Sequence, residues 1–342
     1  MTYSQKITVA MISFNDEKII GDCFRSIRNQ DYDQELIKII IVDGGSTDNT
    51  LEIAKKFKVH IISRPDLMNE PDVRAAIALT YSKTPLVLFF SADNRLMESD
   101  LLTKMTLAME DPQCIAVETL RYGFNPADPI FSRYCALIGG ADPIAVGLGK
   151  ADRGPHDRSG WHGSGSISVD RGTIYVDFPK KISTIPTLGA NGCLIRANLI
   201  RDSKYSANGL HIDMLADLIM NGKSRVAFIS EGHINHFLNI GVLDFIRRRI
   251  RYALMYGGAK KNRYYNVFTY EDLPKLCFLI LANLTLVIPI LRSIRGFALK
   301  PDLAWFLHPV IALIFTFSYT VMVVMGFINK IKLQTRVKFN GK

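Results

Sequence analysis

Apolar residues occur in short unbroken runs through the first hundred positions, and polar side chains close each run. Ile39 to Val42 are four β-branched residues in succession, the pattern of a strand buried on both faces. Asp43 ends the run. Gly44 and Gly45 then supply a tight turn, Ser46 or Thr47 can cap a helix, and Leu51, Ile53, Ala54 and Phe57 line one helical face. This segment predicts a β-turn-α unit. Ile7 to Ile12 lead in the same way into Ser13, Asn15, Asp16 and Glu17, then a helix through Ile19, Ile20, Cys23, Phe24 and Ile27. Leu86 to Phe90 end in Ser91, Ala92, Asp93 and Asn94. Three strands thus deliver acidic or amide groups at their carboxyl ends, where ligands bind in open α/β sheets. Asp43 is placed either to accept hydrogen bonds from a base or ribose, or to cap its own turn.

The far end of the chain has a different texture. Leu303 to Ile328 are 26 residues without Lys, Arg, Asp or Glu, enough to cross a bilayer with some tilt. Leu276 to Leu291 form a second run of 16 that contains Asn283, Thr285 and Pro289, so it reads as a kinked span or a re-entrant segment. A two-helix membrane hairpin is the expected arrangement. Residues 244–342 hold 16 basic and 4 acidic residues, whereas residues 1–243 hold 26 and 28, so the excess positive charge lies beside the apolar runs. That placement suits anionic headgroups and excludes a nucleic-acid partner. "DFIRRRIRYALMYG" sets Phe245, Ile246, Ile250, Ala253 and Leu254 among arginines, the pattern of an interfacial helix whose arginines can hold a lipid phosphate or pyrophosphate.

With 342 residues, 48% of them hydrophobic, the chain has room for one large domain plus these additions. The expected division is a domain over 1–240, a basic interfacial region over 241–270, two transmembrane helices over 271–329 and a basic cytosolic tail over 330–342. Basic flanks on both sides of the paired spans put the large domain and the tail in the cytosol and Ser293 to Pro301 across the membrane; a re-entrant first segment would keep that connection cytosolic. No charged, cleavable apolar leader opens the sequence, which agrees with a cytosolic domain. Five scattered cysteines suggest neither a disulfide framework nor a zinc site. Residues 142–181 lack periodicity and read as an acceptor-side loop or lid, in which Trp161 either stacks on a sugar or headgroup or builds a local core.

"SFNDE", "VDGGSTDNT" and the helix after it, Arg74 in "VRAAIAL" and "FFSADN" together resemble, in order and spacing, the nucleotide-sugar-dependent family 2 glycosyltransferases. Further on, "TLGANGCLIRANLI" is similar to that family's glycine-containing loop, and "HIDMLADLIMNGKSRVAFISEGHINH" to its acidic acceptor-site helix, strand and closing histidine. The resemblance implies a GT-A type, Rossmann-like α/β fold with a mixed sheet flanked by helices. It also implies inverting transfer from a UDP- or GDP-sugar. The acceptor expected of an anchored domain is a polyprenyl phosphate, a lipid-linked saccharide or another membrane-embedded glycolipid.

Its implied site residues follow by position. Nucleotide binding falls to Ser13, Asn15, Glu17, Asp43, Gly44, Arg74, Ser91 and Asn94. A divalent cation, Mn²⁺ or Mg²⁺, falls to Asp93 and His236. Ser91 stands where the family's motif carries an acidic residue. The general base falls to Asp213, with His211 as its rival because the family's Glu-Asp pair is missing. Asn191 and Gly192, with Arg248 and Arg251, fall on the acceptor and phosphate side. Ser91 and the absent pair also leave room for a second reading, a membrane scaffold with a retired transferase domain. Oligomeric state is not readable.

Overall fold

The computed structural model describes residues 5–189, 191–204, 211–238, 240–248, 265 and 269–320. The three apolar runs form parallel neighbours. β1 (Ile7–Ser13) lies between β2 (Ile37–Asp43) and β4 (Leu86–Phe89), with Ser13 opposite Asp43. The remaining strands are β3 (His60–Ser63), β5 (Asn94–Leu96), β6 (Cys114–Gly123), β7 (Ser166–Asp170), β8 (Thr173–Asp177), β9 (Cys193–Arg196) and β10 (Arg225–His236). They make one sheet in the order β3-β2-β1-β4-β9-β6-β10-β8-β7, with β5 also on β10. β9 runs antiparallel to β4 and β6, while β10 runs parallel to β6 and antiparallel to β8 and β5. The sheet is therefore mixed, and central strands such as β2 are buried on both faces, as their unbroken apolar runs require.

Helices α1 (Ile20–Arg28), α2 (Thr50–Lys56), α3 (Pro71–Thr80), α4 (Leu101–Ala108), α5 (Ile130–Ile138), α6 (Pro143–Leu148), α7 (Ala197–Asp202) and α8 (His211–Met220) flank it. On one face, α1 and α4 bury Ile20, Phe24, Ile27, Leu101 and Met105 in a cluster with Val9, Ile39, Ile41 and Leu88. On the other, Met214, Leu215 and Ile219 of α8 join Val87, Ile195 and Phe228. Trp161 belongs to this second cluster, its ring stacked 4.4 Å from that of Phe228, so the local-core reading of Trp161 holds and the sugar-stacking one does not.

The C-terminal segment differs from the expected hairpin. Leu273–Thr285 and Val287–Leu299 are two helical arms meeting at 82° around Leu286, whose φ is +59°. Among the described residues, one helix, Leu303–Thr320, is long and apolar enough to cross a membrane, and 39% of it is buried within the protein. The connection expected on the far side of the bilayer is instead bound to the large domain. Arg292 donates to buried Asp157 at 2.9 Å, Arg133 pairs with Asp302 at 3.1 Å, and Tyr134 shares a 2.9 Å hydrogen bond with His308. These contacts tie residues 292–308 to the large domain, an arrangement that a connection across a bilayer would not permit. Phe245 and Ile246, expected to face a membrane interface, pack instead with Phe131, Trp305 and Phe315. The tail over 330–342 and Arg251 lie outside the described residues.

The turn between the bent arm and the apolar helix depends on close contact. Trp305 is fully buried against Gly296, where a Cβ would overlap the indole ring. Gly296→Ala is expected to lower stability by about 1–3 kcal/mol, the usual cost of overpacking. A thermal unfolding midpoint equal to that of the native chain would contradict this packing.

Candidate active site

The carboxyl ends of β1, β2 and β4 lie side by side at one edge of the sheet. Asp43 is fully buried, and its carboxylate is saturated: Oδ1 accepts from Ser13 Oγ at 2.9 Å and Ser46 Oγ at 2.5 Å, while Oδ2 accepts from the Gly45 and Ser46 N–H groups at 2.8 Å. Of the two readings open for this residue, the turn cap is the one realised. Asn15 and Glu17 brace the same loop, Asn15 Oδ1 accepting from the Thr47 N–H and Glu17 Oε2 from the N–H and side chain of Asn49. Arg74 donates to the Ser13 carbonyl and lies so close under Gly44 that a Cβ there would sit 2.8 Å from its Nη1. Ser13, Asn15, Glu17 and Asp43 thus shape this loop through contacts within it, while Arg74 Nε is buried with no hydrogen-bond partner among the described residues. Gly44 is the position where a side chain is excluded.

Opposite this loop, β5 pairs antiparallel with β10 and sets Asn94 against His236. Asp93 precedes Asn94, and its Oδ2 lies 3.3 Å from His236 Nε2. Its Oδ1 is buried and has no hydrogen-bond partner among the described residues. Both polar atoms of the Asn94 side chain are orphaned in the same way. Unpaired buried acceptors are costly, and a carboxylate oxygen left open beside an imidazole suits a divalent cation. Among the described residues no three His, Cys, Asp or Glu side chains gather as a ready-made cage. Burial alone would lower the His236 pKa, but the charge and hydrogen bond of Asp93 outweigh it and hold the imidazole above its ordinary value. Ser91 contributes through its carbonyl, which accepts from the Asn94 N–H at 3.0 Å.

The sequence marked Asp16 as polar without assigning it a role. Burial, opposed by a hydrogen bond from the Phe14 N–H and reinforced by the charges of Asp93 and Asp48, lifts its carboxyl to about 6.

Asn191 and Gly192, expected on the acceptor side, lead into β9. Gly192 has φ +74°, and a Cβ there would overlap Ile234. Asn191 Nδ2 donates to Tyr122 Oη at 2.9 Å, and the Asn191 carbonyl accepts from Arg153 at 2.6 Å. Asp213 is fully buried, and its Oδ1 accepts from the Tyr265 N–H at 2.6 Å, so in this conformation it presents no exposed carboxylate surface to an acceptor proton. His211 opens α8. Arg248 is exposed on helical residues 242–248, and no contact among the described residues ties it to these strand ends.

Residues 8–137 match the family described as Glycosyl transferase family 2. Over 125 residues the chain is 29% identical to the poly(ribitol-phosphate) beta-glucosyltransferase of Bacillus spizizenii, covering 35% of this chain and 20% of that protein. Over 52 residues it is 42% identical to the dolichyl N-acetyl-alpha-D-glucosaminyl phosphate 3-beta-D-2,3-diacetamido-2,3-dideoxy-beta-D-glucuronosyltransferase of Methanococcus voltae, covering 15% of this chain and 16% of that one. The chain therefore spans a fifth or less of the length of these two relatives. The structure resembles that of the mannosyltransferase PcManGT from Pyrobaculum calidifontis, solved with GDP-Man and Mn²⁺, at a TM-score of 0.53 and 14% identity over 94% of this chain and 87% of that one. The mixed sheet with flanking helices matches a GT-A fold.

Asp16 supplies a stability test. A carboxyl whose pKa is raised on folding weakens the folded state as pH climbs through the window from 3.8 to about 6, because the charged form is the disfavoured one. Asp16→Asn is expected to raise the unfolding midpoint of metal-free protein at pH 8 and to lose that advantage by pH 4. A calorimetric gain independent of pH would contradict the assignment.

Proposed function

We propose that this protein is an inverting, membrane-associated glycosyltransferase that moves a sugar from a UDP- or GDP-sugar to a membrane-embedded acceptor. The observation that carries the reading is the Asp93–His236 pair, with its open Asp93 oxygen, following the carboxyl end of β4, which neighbours β1. Asp93 and His236 would hold Mn²⁺ or Mg²⁺, which when bound neutralises the departing diphosphate. Asn94, buried and unpaired beside them, is suited to take up a ribose or phosphate contact. Gly44 and Gly45 bring backbone close to the donor, and Arg74 beneath Gly44 carries the positive charge that a diphosphate-sugar needs on this side.

Membrane association is supported by a band of exposed apolar residues along the bent arms, including Phe278, Leu281, Leu284, Val287, Ile290 and Leu291. An apolar surface of this extent calls for a lipid or protein cover. With residues 292–302 held on the domain, the bent pair enters and leaves one face of the bilayer, and Leu303–Thr320 supplies the deeper anchor. The catalytic domain faces the cytosol, where nucleotide-sugars are supplied, and the acceptor is a polyprenyl phosphate, a lipid-linked saccharide or another glycolipid confined to the same surface.

Asp93→Ala is expected to abolish the metal-dependent part of donor binding. In calorimetry with UDP- and GDP-sugars, Mn²⁺ should tighten binding to the native chain by about 10–100-fold, the range lost when a metal site is impaired, and leave the variant unchanged. Equal metal dependence in both proteins would overturn the Asp93 assignment. Donor affinity in the native chain that ignores metal would favour the retired scaffold.

A further inference from the structure

Behind the Asn191 loop lies a charge cluster that the residues assigned so far do not use. Arg153 and Glu118 are both fully buried and in direct contact. Arg153 also donates to Thr119 Oγ1 at 3.1 Å and to the Asn191 carbonyl, while Glu118 Oε1 accepts from the Gly189 N–H at 2.6 Å. One guanidinium is thus matched by one carboxylate, as burial demands. A second carboxylate, Asp152, stands 3.7 Å from the same guanidinium. Its charge is surplus to the pair.

Asp152 is held by one oxygen only. Tyr122 donates its hydroxyl to Oδ2 at 2.5 Å, whereas Oδ1 has no hydrogen bond among the described residues, and the side chain keeps 10% of its surface open. The same Tyr122 hydroxyl accepts from Asn191 Nδ2, and the Tyr122 ring lies 5.8 Å from that of His236. A single tyrosine therefore joins the expected metal side, the acceptor loop and this carboxylate. Burial and the charge of Asp152 keep the Tyr122 phenol well above its ordinary pKa, so it remains a donor. The other carboxylate bonded to this loop, Glu118, is committed through both oxygens, to Arg153 and to the Gly189 N–H.

We propose that Asp152 is the general base of the transfer, acting on an acceptor that presents a hydroxyl. This rests on the glycosyltransferase reading above. The acceptor oxygen bonds to the anomeric carbon, the bond from that carbon to the diphosphate breaks with its electron pair left on the diphosphate, and the hydroxyl proton passes to Asp152 Oδ1. Tyr122 and Arg153 fix the carboxylate while its free oxygen works. An ionised polyprenyl phosphate needs no such base, so the substrate class is a lipid-linked saccharide or other hydroxyl-bearing glycolipid.

The test uses the full chain in detergent, a panel of UDP- and GDP-sugars, and membrane extract as acceptor source, with nucleotide release as the readout. Asp152→Asn keeps the size of the side chain and its ability to accept from Tyr122. It is expected to leave donor affinity within about twofold while lowering turnover by roughly 10²–10⁴, the range for loss of a general base. Tyr122→Phe, which releases the carboxylate without removing it, should lower turnover by about tenfold at unchanged donor affinity, and it stands in if Asp152→Asn fails to fold. Native-like turnover in either variant overturns the proposal, as does a loss of donor affinity equal to the loss of turnover. So does full activity of Asp152→Asn on a purified polyprenyl phosphate, or the turnover-only defect appearing in His211→Ala and not in Asp152→Asn. Active native protein with an active Asp152→Asn removes this proposal alone. Native protein that neither binds a donor nor releases nucleotide removes the glycosyltransferase reading with it.

Discussion

The pairing of β10 with two partners at once is the constraint on which the site depends. Its first half lies between β6 and β8, and after an irregularity between Ile229 and His233 its last residues also take β5 as an antiparallel neighbour. That second pairing sets His236 opposite Asn94, although the residues are far apart in sequence, and so brings the imidazole to Asp93. Register in a buried sheet is strongly specified, because a slip of one residue would turn every side chain to the wrong face. The Asp93–His236 contact therefore follows from the core as much as from its own two residues.

The two sides of the site solve their electrostatics differently. On the donor side, Asp43 spends all its accepting capacity on its own loop, so that rigid backbone and the Arg74 charge are what remain to meet a ligand. Around Asn191 a buried ion pair holds the Gly189 N–H and the Asn191 carbonyl, and Asp152 is left with an open oxygen. Asp93 too keeps an unpaired oxygen. Saturated groups hold geometry, and unsatisfied ones are where a cation, a donor or a proton can enter.

The strand ends were legible because buried parallel strands announce themselves as unbroken apolar runs and the polar residues after them are local in sequence. Ile39 to Val42 followed by Asp43 is such a case, and so is Leu86 to Phe90 followed by Asp93. What those side chains do was not legible, since the saturation of Asp43 depends on Ser13, thirty positions away on another strand. Asp152 and Arg153 sit in a stretch without periodicity, and their partners Glu118 and Tyr122 lie within β6, so no spacing rule connects them. The C-terminal runs were visible as apolar but not as bent. Arg292 read as part of a far-side connection because its partner, Asp157, lies 135 positions earlier. Asp213 was the best acidic match on its helix, and its complete burial is something that sequence alone does not display.

The central claim is that residues from β10 and from the β4–β5 junction form one cation site facing the donor loop. Crystals of the full chain grown with Mn²⁺ and a nucleoside diphosphate, measured at the manganese absorption edge, test it most directly. The account predicts one anomalous peak bonded to Asp93 and His236, with the diphosphate oxygens completing its coordination. A diphosphate bound with no peak between those two side chains, or a peak held by other residues, would contradict it.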